Sequence, residues 1–123
     1  MPSYVAPAGW PGPVRPPGAP EWERTAQAWL LDQCPPEYRT HTVLRRHLVL
    51  LARLAVLHVE ASQAALARGL GEIRPSLREQ VAPHTVEEAV VLLERETARL
   101  VGLRRAVGLV EEAVRGRRFV ARL

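Results

Sequence analysis

The chain has 123 residues, of which 47% are hydrophobic, so it is long enough for one domain with a modest core. Its formal net charge is +4, from seventeen arginines and no lysine against thirteen acids, and the acids are interspersed along most of the chain. Composition alone therefore does not predict a nucleic-acid-binding surface, which needs its positive charge on one side. Cys34 is the only cysteine, which excludes an internal disulfide and favours a cytoplasmic protein.

The sequence predicts neither a secretory signal nor a membrane span. The N-terminus lacks the positive start and the continuous apolar core of a signal peptide. The most apolar run, Leu48 to Leu57, is interrupted by Arg53 and is too short to cross a bilayer. We therefore expect a soluble protein with no membrane contact.

Residues 1–20 contain seven prolines and three glycines. Such a density removes backbone donors and favours extended, polyproline-like conformations. We interpret residues 1–19 as a flexible proline- and glycine-rich tail. The alternatives are a ligand for an aromatic groove on a partner or a neighbouring subunit, and a segment that docks back onto the helices through Trp10.

A short first helix is predicted over Pro20 to Gln33. Pro20 suits the first helical turn, because its missing donor would be unpaired there in any case. One face of this helix carries Trp22, Ala26, Trp29 and Leu30. The pair Pro35 and Pro36 then ends the helix.

A long second helix is predicted from Thr42 to Gly69, with Gly69 and Gly71 as its left-handed stop. Its apolar residues form two stripes. The first stripe is Val43, Leu50, Leu54, Leu57, Ala61 and Ala64, and the second is Leu44, Leu48, Leu51, Ala55 and Ala65. Because an apolar arc this wide needs neighbours on two sides, this helix is predicted to be the central element of the fold.

A third helix is predicted from Val86 to Arg115, after a proline-bounded connector of about fifteen residues. Thr85 and Glu88 have the spacing of a capping box, in which each side chain bonds the other residue's backbone amide. The helix carries an interrupted coiled-coil-like seam. Small residues at every fourth position would allow another backbone to approach closely, and these are Ala98, Gly102 and Ala106.

The predicted fold is all-α: a long antiparallel helical hairpin plus one short N-terminal helix, which together make a three-helix bundle over residues 20–116. The two long helices should each reach about 40 to 45 Å, whereas the first helix reaches about 20 Å and covers half of the hairpin at best. Soluble monomers rarely expose so large an apolar surface, so we expect a homodimer that completes the bundle. The predicted dimer interface is Leu93, Ala98, Leu100, Gly102, Leu103, Ala106, Val107 and Val110.

No residue pattern predicts catalysis, a cofactor or a metal ion. Cys34 lacks a glycine-rich oxyanion loop and is followed by Pro35, so nothing orients it against a histidine base. His47 and His58 are eleven residues apart on one predicted helix. That spacing corresponds to about 16 Å, which is too far for one metal ion. We therefore predict a protein that is not an enzyme.

The chain ends in a compact basic segment, residues 117–123, in which arginines surround Phe119 and no acid follows Glu112. The arginines that could contact phosphate groups or an acidic partner are Arg115, Arg117, Arg118 and Arg122. A helix-turn-helix interpretation is disfavoured, because the third helix is too long and begins with Glu87 and Glu88.

Two functions follow from this sequence. The favoured one is a small non-enzymatic helical interaction or scaffold protein, a homodimer that binds an unidentified protein partner. The alternative is a nucleic-acid-associated accessory or regulatory protein that uses the C-terminal arginines. Because both follow from architecture and composition, they stand as hypotheses.

Overall fold

The structure is a computed structural model that describes residues 4–117 and 119, and over those residues it is all-helical, without strands. Helix α1 spans Trp22–Asp32, α2 spans Thr42–Arg46, α3 spans Leu48–Leu77 and α4 spans Pro83–Val114. A 3₁₀ turn at Pro36–Thr40 joins α1 to α2. The predicted all-α class is confirmed.

The two long helices, α3 and α4, form a hairpin joined by residues 78–82. Beside the turn, Arg74 of α3 places its Nε atom 2.8 Å from a carboxylate oxygen of Glu87 on α4. Near the open end, the Nε atom of Arg53 lies 3.3 Å from a carboxylate oxygen of Glu111. Partner residues therefore run in opposite directions along the two helices, as in an antiparallel hairpin.

Helix α3 does not end at Gly69, as the glycine signal predicted, but continues through Gly71 and Pro75 to Leu77. A helical glycine costs about 1 kcal/mol relative to alanine. Packing against α4 outweighs that cost, because apolar side chains continue past Gly69 and are half-buried at Leu70 and Ile73. The connector is therefore five residues long, much shorter than predicted.

The N-terminal part of the predicted second helix is a separate element, α2. The backbone of His47 leaves the helical region, with φ −121° and ψ 84°, between α2 and α3. The side-chain amide of Gln27 on α1 donates a hydrogen bond to the backbone carbonyl of Arg45. In a continuous helix that carbonyl would accept from Val49, so α1 provides a physical reason for the break.

The capping box predicted at Thr85 and Glu88 is wrong. The N-cap residue of α4 is Ala82, Pro83 is the first helical residue, and no side chain caps the helix. Proline suits that position because its fixed φ is helical and it has no amide to satisfy. Thr85 instead lies inside the first turn, where its amide donates to the Ala82 carbonyl over 3.0 Å.

Helix α4 ends at a glycine that the sequence reasoning overlooked. Gly116 has φ +101°, in the left-handed region. Its amide donates to the carbonyl of Ala113 over 3.0 Å, and the amide of Arg117 donates to the carbonyl of Glu112 over 2.9 Å. These two bonds form a Schellman motif, which satisfies the last free carbonyls of the helix.

The core lies at the open end of the hairpin, where α1 packs against α3 and α4. The face predicted for the first helix is confirmed: Ala26 and Leu30 are fully buried and Trp29 is 9% exposed. The largest fully buried side chains are Leu30, Leu51, Val56, Val107 and Val110. Beyond Val59, α3 has no buried residue, so the half of the hairpin nearest the turn extends past the cover of α1.

The proline- and glycine-rich N-terminal segment, which we call the leader, packs against the helices over the described part of residues 1–19. Val14 is 3% exposed and belongs to the core cluster. The indole N–H of Trp10 donates a 2.9 Å hydrogen bond to the backbone carbonyl of Val14. Arg105 of α4 donates to the carbonyl of Ala8 over 3.3 Å. These contacts agree with the alternative in which the N-terminal segment docks back onto the helices through Trp10. The division of the chain into residues 1–19, 20–116 and 117–123 stays a prediction.

Candidate interaction surface

The side of α3 that faces away from α4 carries an uncovered apolar row. We call this row the outer seam, and its members are Leu50, Leu54, Leu57, Ala61 and Ala64. Leu50 is 40% exposed and Leu57 is 51% exposed. Ala61 and Ala64 are also exposed, whereas Leu54 is half-buried. The steps between members are four, three, four and three residues, which is the spacing of a coiled-coil seam.

The outer seam belongs to the first of the two apolar stripes predicted on this helix. In the second stripe, Leu44 is 6% exposed and Leu51 and Ala55 are fully buried, although Ala65 is exposed. One stripe is therefore largely covered within the chain and the other is not. The sequence analysis described the first stripe but placed the dimer interface on α4. The regular four-three spacing of the first stripe was the signal for an exposed apolar row on α3.

The fold buries half of the dimer interface that was predicted on α4 and leaves the other half partly or fully exposed. Four of its members are already buried inside one chain, with exposures of 8% or less: Leu100, Ala106, Val107 and Val110. In this conformation they have no surface to offer to a second copy. Leu93 and Leu103 are half-buried, and Ala98 and Gly102 are exposed. A Cβ atom at Gly102 would meet no atom within 4 Å, so no other helix crosses closely there within the chain.

Helix α4 exposes apolar side chains of its own. Val91 is 47% exposed, Leu92 is 65% exposed and Val101 is 61% exposed. They do not follow the four-three spacing, and charged residues such as Glu94 and Arg95 lie between them. This surface is mixed in character, whereas the outer seam of α3 is uniformly apolar over five consecutive positions.

Two charged side chains of α3 flank the outer seam on one side, one heptad apart. Arg53 contacts Glu111, and its side chain is 41% exposed. Glu60 contacts Arg104 over 3.3 Å, and its side chain is 45% exposed. Both residues are therefore held by α4 and still reach solvent beside the seam.

The described C-terminal arginines are paired with glutamates of α4. A guanidinium nitrogen of Arg115 lies 3.6 Å from the carboxylate of Glu111, and Arg117 contacts the carboxylate of Glu112. Arg117 also lies over the ring of Phe119, with its guanidinium carbon 5.0 Å from the ring centroid. Arg118 and Arg122 lie outside the described residues.

The cysteine and the histidines form no catalytic arrangement among residues 4–117 and 119. Cys34 is 8% exposed, and burial raises the pKa of its thiol above the ordinary value, against a smaller opposing effect of Arg39. A buried thiol with a raised pKa is a poor nucleophile. His41, His47, His58 and His84 are all exposed.

No group of three potential metal ligands occurs within the described part of the chain. A cleft of about 530 Å³ lies between the N-terminal segment and the end of α4 and is open to solvent. Tyr4, Trp22 and Phe119 contribute aromatic rings to it, and Arg117 is its charged residue. Among the described residues, no acid, histidine or cysteine lines this cleft, so its chemistry is that of a packing surface.

By length and composition, α3 is apolar enough to cross a membrane, with a mean hydropathy of 1.4 over its best window. The sequence-based expectation considered only the run from Leu48 to Leu57, which Arg53 interrupts and which is too short to cross a bilayer. Only 28% of that window is buried within the chain. Core helices of soluble proteins pass the same criterion, so localisation and the absence of membrane contact stay predictions.

No known protein family, curated protein or solved structure matches this chain.

Proposed function

We propose that this protein is a small, non-enzymatic helical interaction protein that works as a homodimer in the cytoplasm. The outer seam of α3 is the observation that carries this proposal. Five consecutive seam positions are apolar, and four of the five are exposed in a single chain. A contiguous exposed apolar row of this kind marks an interaction site more often than a solvated surface.

The energetics favour covering this row. Full burial of a leucine side chain stabilises a protein by about 1.5 to 3 kcal/mol relative to leaving it exposed. Leu50 and Leu57 forgo a large part of that gain in the single chain, because about half of each side chain meets solvent. A second helix laid along the seam would recover it.

The nucleic-acid alternative receives less support from the charges. Arg115 and Arg117 are each paired with a glutamate of α4, Glu111 and Glu112, which partly offsets the positive charge they present to a phosphate backbone. Catalysis has no candidate residue among those described, because Cys34 is buried and no described acid or histidine lines the cleft beside Phe119.

The mass of the protein in solution tests this proposal. Light scattering over a concentration series should give twice the chain mass at micromolar concentration, with dissociation on dilution. Binding of a labelled DNA duplex, measured from low to high salt, should stay weak at every salt concentration. A monomer at all concentrations contradicts the homodimer. Steeply salt-dependent DNA binding that is lost on deletion of Arg117 to Leu123 favours the nucleic-acid function instead.

A further inference from the structure

We infer that the second copy docks on the outer seam of α3 with its own outer seam, in the antiparallel direction. This inference rests on the proposed homodimer and adds the surface, the orientation and the register. In this register Leu50 of one copy lies against Ala61 of the other, and Leu54 lies against Leu57.

Helix α3 has two coiled-coil seams, and α4 covers only the inner one. On its inner side, Val59, Gln63, Leu66, Leu70 and Ile73 repeat at steps of four, three, four and three residues. α4 covers this inner seam. The outer seam has the same spacing on the opposite side. Four of its five members stay exposed within the described chain, and Leu54 is half-buried against the core cluster. A seam of this spacing is matched by another helix with the same repeat, and the second copy supplies one.

Side-chain size decreases along the outer seam from the N-terminus of α3. The three members nearest the N-terminus of α3 are leucines, and the two that follow are alanines. A parallel pair would place alanine opposite alanine and leave a gap at that end. In the antiparallel register defined above, Leu50 of each copy lies opposite Ala61 of the other and the two Leu54–Leu57 pairs lie between them, so every layer contains at least one leucine.

The two charged residues beside the outer seam, Arg53 and Glu60, have opposite signs. In the register defined above, Arg53 of one copy lies next to Glu60 of the other, because flanking positions of antiparallel helices meet in this way. The two-fold symmetry of a homodimer repeats this pair on the other half of the interface. Contacts with Glu111 and Arg104 hold both side chains beside the seam, where each remains more than 40% exposed.

This arrangement leaves part of the molecule free. Val91, Leu92 and Val101 are on α4, which lies on the far side of α3 from the proposed contact. The dimer would thus keep an exposed mixed surface on each α4 helix for the protein partner.

Disulfide trapping tests the orientation and the register. In a Cys34→Ala background, chains carrying Leu50→Cys are mixed with tagged chains carrying Ala61→Cys and oxidised with copper phenanthroline. The proposed register brings these positions together, so the mixed disulfide should form. The Leu50→Cys chain alone should not cross-link, because its two copies would stand about 16 Å apart along the helix axis, beyond the reach of a disulfide. Mixing Leu92→Cys with Ala61→Cys is the matched control and should give no mixed product.

The outcomes separate this inference from the proposed function. Self-cross-linking of Leu50→Cys shows a parallel pair or an antiparallel pair centred on residue 50, and either one overturns the inference. A protein that is dimeric by mass but forms no Leu50–Ala61 disulfide uses another surface or register, which overturns this inference and leaves the homodimer standing. A protein that is monomeric by mass overturns the homodimer itself. If Cys34→Ala disturbs folding by circular dichroism, the same pairs are tested with Cys34 present, since that thiol is buried.

A charge variant provides a second readout. Leu57→Glu introduces a carboxylate at the centre of the proposed contact and should abolish the dimer. Because Leu57 is 51% exposed within the chain, helix content should be retained. Leu92→Glu, at a position that is 65% exposed on α4, should leave the dimer intact. A dimer that survives Leu57→Glu contradicts the inference.

Discussion

Leu51 is fully buried, whereas Leu50, its immediate neighbour on α3, keeps 40% of its surface exposed. Successive residues of an α-helix are turned by about 100°, so adjacent leucines serve different sides of the helix. Leu51 belongs to the core formed with α1 and α4, and Leu50 belongs to the outer seam. This division separates the residues that stabilise one chain from those proposed to join two chains.

Replacement of Leu51 by alanine should lower the free energy of unfolding by about 2 to 5 kcal/mol, because it leaves a cavity in the core. The loss should be the same at every protein concentration. Leu57→Ala should give a smaller loss that grows with concentration, since it weakens the dimer and hardly affects the single chain. Urea unfolding at several protein concentrations measures both effects. An equally large, concentration-independent loss in Leu57→Ala would contradict the division into inner and outer seams.

Replacement of Gly71 by alanine should stabilise the protein by about 0.5 to 1 kcal/mol, because Gly71 lies inside α3 and alanine is the better helix former. A Cβ atom there would meet no atom within 4 Å. The measurement is the midpoint of thermal unfolding. If the helix ended at these glycines in a left-handed conformation, alanine would be strained there and would destabilise the protein. A lowered midpoint would therefore support the shorter helix that ends at Gly69.

The fold class and the face of α1 could be predicted because they depend on apolar periodicity, which Trp22, Ala26 and Trp29 display without ambiguity. The ends of the helices could not. Gly69 and Gly71 have the composition of a stop, but the continued packing of Leu70 and Ile73 on α4 decides the outcome. Local capping rules compare only neighbouring residues, whereas a helix boundary depends on contacts that are distant in sequence.

The candidate interaction surface on α3 could be predicted only in part, because it also depends on contacts that are distant in sequence. Both stripes of the central helix are visible in the sequence, but their spacing does not say which one α4 covers. The predicted interface on α4 included Val107 and Val110, which α1 and α3 already bury. The placement of α1 over one side of the hairpin is a tertiary contact, and it decides which apolar residues remain exposed.

Acid should weaken the turn end of the hairpin through Glu87. The hydrogen-bonded contact with Arg74 is the main reason that the pKa of the Glu87 carboxyl lies below its ordinary value. Since this pKa is lower in the folded chain than in the unfolded one, the contact stabilises the fold above the unfolded pKa. That contribution is lost as the pH falls through the folded pKa.

Nuclear magnetic resonance titration of the glutamate carboxyl carbons checks this pH dependence. In Arg74→Gln the pKa of Glu87 should rise towards that of an unfolded glutamate. The pKa of Glu96 is also lowered, but by a hydrogen bond with Arg99, so it should not respond to this variant. An unchanged Glu87 pKa in Arg74→Gln would show that the contact does not form in solution.

Replacement of Gly102 by leucine distinguishes the two possible dimer surfaces. The dimer interface predicted from the sequence contains Gly102 as a position of close backbone approach, and in that interface a leucine side chain would weaken association. With the dimer on the outer seam of α3, the added side chain meets open space and leucine is a better helix former than glycine. The stability should rise by about 0.5 to 1 kcal/mol, and the dimer mass in light scattering should not change. Gly116→Ala is the control of opposite sign, since φ is +101° there and alanine should destabilise the end of α4. A folded Gly102→Leu protein that has lost its dimer mass would place the interface on α4 and contradict the antiparallel pairing of α3.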